Sequence, residues 1–486
     1  MVIPKVLIIS IRNSDFSEML RFARCLRHSL KFEPVILDLN HNYAEICDHK
    51  YIVDQEGIRF ITPTLRKMVI QRLRPRQNKR ALPPNVGQTN AEKQINRTFI
   101  GNLKSKFRSL LGIPFLFFIS TLDFSNILKR NLPKLIVLPE DIVGVDTPLI
   151  IKLAQTKNIP SFILPYTIAN HTEAVEALKD LAPYNSKSFI SRIAKKLFPR
   201  WHFSDSKVSL LRLPIPYIIC HELFGLTPPN PWMMNSGYAN QIAVESSKMY
   251  DFYLKGGFFR DRLTLTGSLA DDLQYTRLKD QKRLKSELCK ELAIDQTKPI
   301  ILVAAPPNQL ASGDRRGFEF DSLTTSLKAV FQALHNHSKN FNIVVRPHPA
   351  HMELDDCLIG TSCKKTSIDT ALLIPLCDFY VAFASATIRW AITAGKPVLN
   401  YDIFRYDYED YTLEPAVISV NSLKGFKLHL GNLCSNREYV TSLKRTQQEC
   451  AKKWGMLDGL CETRLIDLCD ELIHSGGKHR RGNTPI

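Results

Sequence analysis

The chain has 486 residues, of which 44% are hydrophobic and 23% charged. This length predicts two domains, and the globular composition excludes a chain that is disordered over long stretches. Lys and Arg outnumber Asp and Glu by 65 to 47, and the net charge of +18 favours an anionic partner such as nucleic acid, anionic lipid or a phosphorylated substrate. The 11 cysteines include no CxxC pair, so we expect scattered thiols in a reducing cytoplasm rather than zinc sites or disulfides.

Two apolar segments bear on the question of membrane insertion. Residues 1–10 predict a buried first strand rather than a signal peptide, because Lys5 interrupts the apolar run and polar residues follow at once. The most apolar later segment, Leu110–Leu122, contains a proline and is shorter than the roughly 20 residues that a spanning helix needs. We therefore predict no transmembrane helix.

Short apolar strands alternate with longer amphipathic stretches along the first half of the chain. The predicted strands are Lys5–Ser10, Pro34–Asp38, Leu135–Leu138, Ser161–Leu164, Tyr217–His221, Gln241–Val244 and Leu263–Thr266. The predicted helices are Phe16–Leu30, Thr147–Lys157, Ser247–Lys255 and Lys279–Leu292. Strand, helix and strand at this spacing are typical of a parallel sheet in an α/β domain.

The alternation restarts after a boundary near residues 293–298. The predicted strands are Pro299–Ala305, Asn342–Arg346, Phe379–Ala382 and Pro397–Tyr401, and the predicted helices are Leu323–His337, Ser367–Leu376 and Thr387–Ala394. We therefore expect an N-terminal domain over 1–293, a second doubly wound domain over 298–430 and a helical tail over 431–486.

Two basic stretches interrupt the first domain. The stretch from Arg59 to Arg108 contains a single acid, Glu92. In the second, 186–202, apolar side chains at helical spacing alternate with Lys and Arg. Such a helix either lies in an anionic membrane interface or packs on its own domain with a solvated basic face. We favour no nucleic-acid partner, because no recognised nucleic-acid module is present.

A histidine between two prolines marks the strongest candidate site. The predicted strand ending at Arg346 is followed by Pro347, His348 and Pro349. Proline on both sides restricts the backbone and keeps the histidine at the carboxyl end of the strand, where ligands of open α/β sheets bind. Arg346 can clamp a phosphate, and His348 can donate to a phosphate oxygen. The alternative is a structural arginine beside an ordinary loop histidine.

A second candidate for phosphate binding follows one strand later. Ser385 and Thr387 stand between the strand Phe379–Ala382 and the next helix, where a hydroxyl caps the helix or the free N–H groups bind phosphate. Lys396, in the turn after this helix, is a further candidate for the donor site. Asn308, Arg315 and Arg316 lie in a polar loop after the first strand of the second domain and are weaker candidates.

These motifs together resemble a known family. Arg-Pro-His-Pro at 346–349, the Ser/Thr pair and Ala-Gly-Lys-Pro-Val at 394–398 resemble the C-terminal half of GT-B glycosyltransferases. The nearest look-alikes are CDP-glycerol glycerophosphotransferases and the CMP-sialic acid or Kdo-type transferases of capsule and lipopolysaccharide synthesis. The resemblance covers residues 210–410 and implies two Rossmann-like domains facing a cleft. It also implies a CMP- or CDP-type nucleotide donor, no metal or other required cofactor, and contacts from His348, Ser385 and Thr387 to the donor phosphates.

The acceptor side is less defined by the sequence. Glu140 and Asp141, after a predicted strand, resemble the acidic pair of CMP-sialic acid transferases, and transfer to a hydroxyl benefits from a carboxylate or histidine base. Asp141 and Glu140 are the first candidates for the catalytic base, with Glu173 and His171 next. Asp141 is equally suited to cap a helix. The His-Gly pair that many of these families carry is absent around residues 166–173.

The sequence therefore predicts a cytoplasmic glycosyltransferase, peripheral on the inner face of the plasma membrane. It would move a sugar or glycerol-phosphate-like group from a nucleotide donor to a glycan or lipid-linked acceptor of surface-polysaccharide or lipopolysaccharide synthesis. A non-hydrolysing nucleotide-sugar epimerase is one alternative. A degenerate nucleotide-binding scaffold of polysaccharide assembly is the other.

Overall fold

The computed structural model describes residues 3–40, 42–65, 94–165, 173–178, 184, 188–205, 208–308, 318–348, 354–407 and 409–475, with side chains throughout except at 94–111, 173, 176, 177, 409 and 410. Two parallel sheets, each covered by helices, account for most of the described chain. The predicted α/β class is confirmed.

The first sheet has seven strands in the order β3-β2-β1-β4-β5-β8-β9, all parallel. Its strands are β1 (Lys5–Ser10), β2 (Glu33–Asp38), β3 (Arg59–Ile61), β4 (Leu135–Leu138), β5 (Ser161–Ile163), β8 (Gln241–Val244) and β9 (Leu263–Leu265). Helices cover both faces, so both sets of alternating side chains must be apolar. In β1, Val6 and Ile8 belong to one buried cluster, whereas Leu7 and Ile9 belong to the cluster on the other face.

Helices and one hairpin complete the first domain. The helices are α1 (Asn13–His28), α2 (Tyr43–Gln55), α3 (Gln94–Asn131), α4 (Asp146–Gln155), α5 (Glu173–Leu178), α6 (Phe189–Leu197), α7 (Ile215–Leu223) and α8 (Ser247–Lys255). Strands β6 (His202–Ser204) and β7 (Ser209–Leu211) form a separate antiparallel pair. Two helices, α9 (Leu269–Lys279) and α10 (Gln281–Glu291), then lead into the second domain.

The second sheet has six strands in the order β12-β11-β10-β13-β14-β15, again all parallel. Its strands are β10 (Ile300–Ala305), β11 (Asn342–Pro347), β12 (Lys364–Lys365), β13 (Phe379–Ala382), β14 (Val398–Tyr401) and β15 (Val417–Val420). The helices are α11 (Leu323–His335), α12 (Asp355–Leu358), α13 (Thr370–Leu373), α14 (Ile388–Thr393), α15 (Glu409–Thr412), α16 (Leu423–Ser435), α17 (Arg437–Trp454) and α18 (Cys461–His474). The last helix crosses back, because Leu465 and Leu468 of α18 join the buried cluster of β1 and α1.

Both sheets reverse their strand order around the first strand of the domain. β1 lies between β2 and β4, and β10 lies between β11 and β13. The crossovers on the two sides of such a strand run in opposite directions and leave a crevice at the carboxyl ends, which is where open α/β sheets bind ligands. The fold thus directs attention to the residues that follow β1, β4, β10, β11 and β13.

One predicted strand is wrong. Residues 217–221 lie within α7, which begins at Ile215 directly after Pro214 and contains Pro216 in its first turn. A short apolar run cannot be assigned to strand or helix by its periodicity alone, and proline is compatible with the first turn of a helix. Ile218, Cys220 and His221 of α7 face inwards.

Candidate active site

An ion pair joins two neighbouring strands at the carboxyl edge of the first sheet. Arg12 follows β1 and Glu140 follows β4, and the guanidinium approaches the two carboxylate oxygens to 2.7 and 3.2 Å. The side chain of Arg12 is 47% exposed, whereas that of Glu140 is 1% exposed. Arg12 therefore presents a cation at the crevice, with the carboxylate of Glu140 directly behind it.

Asp15 fixes the turn that carries Arg12. Its carboxylate accepts hydrogen bonds from Ser10 Oγ (2.9 Å) and from the backbone N–H groups of Ile11 (3.0 Å) and Arg12 (2.9 Å). Burial raises the pKa of Asp15 to about 7 despite these bonds, and the negative charge of Glu140 adds to the effect. The first turn of α1 is thus built around a buried carboxyl group.

Asp141 lies in the interior of the first domain. Its backbone N–H donates to Asn235 Oδ1 (2.8 Å), and a Cβ added at Gly237 would lie 1.8 Å from Asp141 Oδ2, so the carboxyl fits only against a glycine. Burial raises the pKa of Asp141 to about 7, opposed by the charge of Arg262 and by hydrogen bonds. Helix α4 begins after Val145 without a side-chain cap, so Asp141 does not cap it.

Two acceptor-side candidates remain, His171 and Glu173. His171 lies outside the described residues, as do Arg315 and Arg316. Glu173 is the first residue of α5.

A buried histidine near this edge was not predicted from the sequence. His49 Nδ1 lies 2.8 Å from Asp38 Oδ2 at the end of β2, and its Nε2 lies 3.1 Å from Asn13 Oδ1. The imidazole stacks on Phe16 with ring centroids 3.6 Å apart. In the sequence, a carboxylate ends a strand and a histidine lies on the next helix. This pattern is too common to predict the contact between the two side chains.

Beside His49 lies a cavity of about 650 Å³ that both domains line. Its walls are α1 and α2, and it reaches Leu273 of α9 and Asp369 of the second domain. Arg21 of α1 pairs with Asp369 across this space at 3.0 Å. The space between the domains is therefore large enough for a small ligand.

Two donor candidates lie at the carboxyl edge of the second sheet, after neighbouring strands. His348 follows β11 directly, is half-buried, and its backbone N–H donates to Ala305 O at the end of β10 (3.1 Å). Asn308 lies three residues after β10 and is exposed. The structure places both residues at the reversal point of this sheet.

Ser385 and Thr387 follow β13 at the same edge. Their hydroxyl oxygens lie 2.8 Å apart, and the backbone N–H of Thr387 donates to Ser385 Oγ (3.3 Å). The preceding residue, Ala384, has a φ of 49°, a left-handed conformation that is unfavourable for alanine, and its N–H donates to Asn400 Oδ1 (2.8 Å). A strained residue held by its neighbours is often found at a functional site.

Arg346 is bound to the protein backbone. Its Nε donates to Ile368 O (2.8 Å) and a second guanidinium nitrogen donates to Pro347 O. Burial lowers the pKa of Arg346, and the charge of Asp369 opposes this effect. Arg346 thus braces the loop that follows β12, at the same edge as His348.

Lys396 lies at the opposite edge of the sheet. It precedes β14, so it is at the amino end of the parallel strands, near Cys377 and Asp378, which precede β13. Burial lowers the pKa of Lys396. The structure therefore separates Lys396 from His348, Ser385 and Thr387, and we withdraw it as a donor-binding candidate.

Within the described part of the chain, no group of three or more His, Cys, Asp or Glu side chains is arranged to hold a metal ion. Nor does any helix there have the length and apolar character needed to cross a membrane.

The chain is similar in fold to several solved structures. No protein-family model matches the chain, and no curated protein matches it. Among solved structures, a UDP-GlcNAc 2-epimerase from Neisseria meningitidis bound to UDP-GlcNAc matches with a TM-score of 0.52 and 11% identity, covering 96% of this chain and 100% of the other. The calicheamicin glycosyltransferase CalG4 matches with a TM-score of 0.51 and 12% identity, covering 98% and 99%.

A variant of the wall teichoic acid polymerase TagF matches with a TM-score of 0.54 and 11% identity, covering 98% of this chain and 90% of the other. At sequence identities of 11–12% the similarity establishes the fold alone. The two domains that the sequence resemblance implied are confirmed, and the chain has the GT-B fold, with two Rossmann-like domains facing a cleft.

Proposed function

We propose that this protein is a glycosyltransferase that takes a sugar or glycerol-phosphate-like group from a nucleotide-activated donor. The observation that carries the proposal is the position of His348 after β11 and of Ser385 and Thr387 after β13, the two strands that flank β10 at the reversal point of the second sheet. The structures similar to this chain include one bound to UDP-GlcNAc, one in complex with UDP, the glycosyltransferase CalG4 and the wall teichoic acid polymerase TagF. The sequence motifs favour CMP or CDP as the nucleotide of the donor.

In this proposal the second domain stabilises the leaving nucleotide. His348 and the hydroxyl groups of Ser385 and Thr387 donate hydrogen bonds to the donor phosphates as negative charge develops on them. Arg12 contributes a cation from the first domain. Because Arg12 covers Glu140, the bound acceptor must displace the Arg12 side chain before Glu140 accepts the proton of the acceptor hydroxyl. The acceptor is a glycan or lipid-linked intermediate of surface-polysaccharide or lipopolysaccharide synthesis.

A specific observation also favours a second candidate, a nucleotide-sugar 2-epimerase. Two of the structures similar to this chain, with TM-scores of 0.52 and 0.50, are the N. meningitidis UDP-GlcNAc 2-epimerase and a putative UDP-N-acetylglucosamine 2-epimerase from Listeria monocytogenes. An epimerase would convert a donor to its isomer without an acceptor, whereas a transferase would need one. A scaffold protein would bind the nucleotide but would catalyse neither epimerisation nor transfer.

The first test is a thermal-shift series with CMP, CDP, UDP, GDP and ADP. We expect one nucleotide, of the cytidine type, to raise the unfolding midpoint selectively. At a ligand concentration 100 times its Kd, the added stability is about 2.7 kcal/mol. If UDP alone is effective, the epimerase becomes the first candidate. If none of the five stabilises the protein at millimolar concentration, the proposed donor site is rejected.

Matched variants locate the site. His348→Ala and Ser385→Ala should each lose the nucleotide-induced shift. His474→Ala and Ser435→Ala remove the same side chains from exposed positions on α18 and α16, and both should keep it. Loss of the shift in all four variants would mean that the effect comes from general destabilisation rather than from the proposed site.

The predicted attachment to an anionic membrane depends on a different surface and is a separate proposal.

A further inference from the structure

Helix α6 has its large apolar side chains on the outside of the protein. Phe189 and Leu197 are 68% and 67% exposed, and Ile190 and Ile193 on the same face of the helix are also exposed. The residues that face inwards are the small ones, Ser191 and Ala194. A surface helix that packs on its own domain has the opposite arrangement, with its large apolar side chains facing inwards. The interpretation of residues 186–202 as a helix packed on its own domain with a solvated basic face therefore does not describe α6.

The orientation of α6 is fixed by polar contacts to its own domain. Ser188 caps the helix by accepting from the N–H of Ser191 (3.1 Å), and Lys195 Nζ donates to the carbonyl and hydroxyl of Ser209 (2.9 and 2.8 Å). Beyond its end, Trp201 is fully buried. The helix is therefore already formed and oriented, and its apolar face is presented without a folding step.

Two neighbouring helices extend the apolar surface. Ala194 of α6 and Ile218 of α7 belong to one buried cluster with Trp201. His221 of α7 packs against the ring of Trp201 (centroids 5.1 Å apart) and against Phe117 of α3 (5.7 Å), so α7 is in contact with both α6 and α3. Both α7 and α3 carry exposed large apolar side chains. These are Ile219, Leu223 and Phe224 on α7, and Phe115, Phe118 and Leu122 on α3.

The charged side chains of α6 and of the turn that follows it are all basic. Arg192, Lys196 and Arg200 are exposed beside its apolar face, and α6 contains no acid. Glu222 on the neighbouring helix is engaged by Trp201 Nε1 at 2.7 Å. A second copy of this chain docked on the same face would bring these cations against their own copies, which is unfavourable, whereas an anionic surface would pair with them.

We propose that the outer faces of α6, α7 and α3 form a docking surface for an anionic lipid bilayer. Helix α6 has nine residues, about 13 Å in length, so it cannot cross a hydrocarbon core of about 30 Å. It lies in the plane of the interface, with its apolar side chains among the acyl chains and its cations at the lipid phosphates. The proposal does not depend on the identity of the reaction.

The test is co-sedimentation of the full chain with vesicles of phosphatidylcholine alone or mixed with phosphatidylglycerol. We expect binding to the mixed vesicles that weakens with salt, and little binding to the neutral ones. The double variant Phe189→Ser/Ile190→Ser should bind more than roughly tenfold more weakly, because two exposed side chains no longer enter the bilayer. Lys196→Glu should weaken binding roughly fivefold or more.

Control variants separate this surface from a general effect of charge or apolarity. Leu428→Ser replaces a leucine that is 62% exposed on α16 of the other domain, and Lys427→Glu reverses a neighbouring charge. Both should bind vesicles as the unchanged protein does. All variants should keep the unfolding midpoint of the unchanged protein, since every altered side chain is exposed.

A second measurement reports the position of α6 directly. The emission that Phe189→Trp adds to that of the four native tryptophans should shift to shorter wavelength on addition of anionic vesicles and be quenched by brominated lipids, and the spectrum of the unchanged protein is subtracted as the control. Equal binding to neutral vesicles, no binding to any vesicle, or unaltered binding by the double variant would overturn the proposal. A concentration-dependent dimer that the double variant abolishes would instead assign this face to a second copy.

Discussion

Arg389 and Asp271 form a buried ion pair between the second domain and the helix that leads into it. Arg389 Nη1 lies 3.3 Å from Asp271 Oδ1, and the same guanidinium donates to Ser268 Oγ (2.9 Å) and Trp454 O (3.2 Å). Arg389 is on α14, two residues after Thr387 of the candidate donor site. Any movement of that site relative to the first domain must therefore carry or break this pair.

Replacing Arg389 should destabilise the protein strongly. Arg389→Met leaves the carboxylate of Asp271 buried without its cation, and removes the positive charge that opposes the burial-raised pKa of Glu245. Breaking a buried pair in this way costs about 3–5 kcal/mol. Denaturant unfolding measures the loss, and Arg283→Met, at an exposed arginine of α10, should change stability little. Similar losses in the two variants would contradict this role.

Asp141 should make the protein less stable as the pH rises from about 4 to about 7. Burial raises its pKa from 3.8 to about 7. Between these two values the folded state holds a proton that the unfolded state has lost, so the free energy of unfolding falls by about 1.4 kcal/mol per pH unit. Asp141→Asn, which does not titrate, should remove this slope between pH 5 and 7. Asp15, whose pKa is also raised to about 7, contributes a separate pH dependence to the free energy of unfolding, and this contribution remains in Asp141→Asn.

The control for this measurement is Asp355→Asn. Asp355 is exposed, and its pairing is with Lys365 at the surface. The variant should retain the full pH dependence of the unchanged protein. If Asp141→Asn retains it as well, Asp141 is ionised in the folded state at these pH values, and Arg262 then compensates its charge.

The fold was accessible from sequence because strands buried on both faces appear as continuous apolar runs. Residues 300–305 and 379–382 are of this kind, and both were placed correctly. The error at α7 arose from a run of the same composition that follows Pro214. The edge position of His348 followed from the end of one strand and two prolines, so local sequence sufficed.

The partners of the site residues were not accessible in the same way. Arg12 and Glu140 are 128 residues apart, and Arg389 and Asp271 are 118 apart. Each pair depends on how whole elements pack, which no local pattern encodes. The interior position of Asp141 follows from Gly237, almost a hundred residues later, for the same reason. Lys396 was a candidate within the Ala-Gly-Lys-Pro-Val segment at 394–398, and the helix between Thr387 and Lys396 carries it to the other edge of the sheet.

One cysteine should react rapidly in the folded protein. Cys47 on α2 is exposed, and the other ten thiols are buried or half-buried. Burial raises the pKa of Cys377 and of Cys434 to about 12, which suppresses their thiolates. Titration with Ellman's reagent should show one fast thiol in the native protein and 11 after unfolding. Cys47→Ser should abolish the fast phase, and Cys434→Ser should leave it unchanged. Two or more fast-reacting thiols in the native protein would contradict the burial of the other cysteines.

The two acids after β4 should differ in their effect on turnover. With the donor identified by the nucleotide series, Glu140→Gln should lower kcat by about 10²–10⁴-fold while nucleotide binding is retained, because Gln cannot accept the acceptor's proton. Asp141→Asn should keep most of the activity, since its carboxyl faces Gly237 in the interior. Arg12→Lys preserves the cation beside Glu140 and controls for loss of the ion pair. If Asp141→Asn is inactive and Glu140→Gln is active, Asp141 is the catalytic base instead of Glu140. If both variants are active, the base is His171 or Glu173.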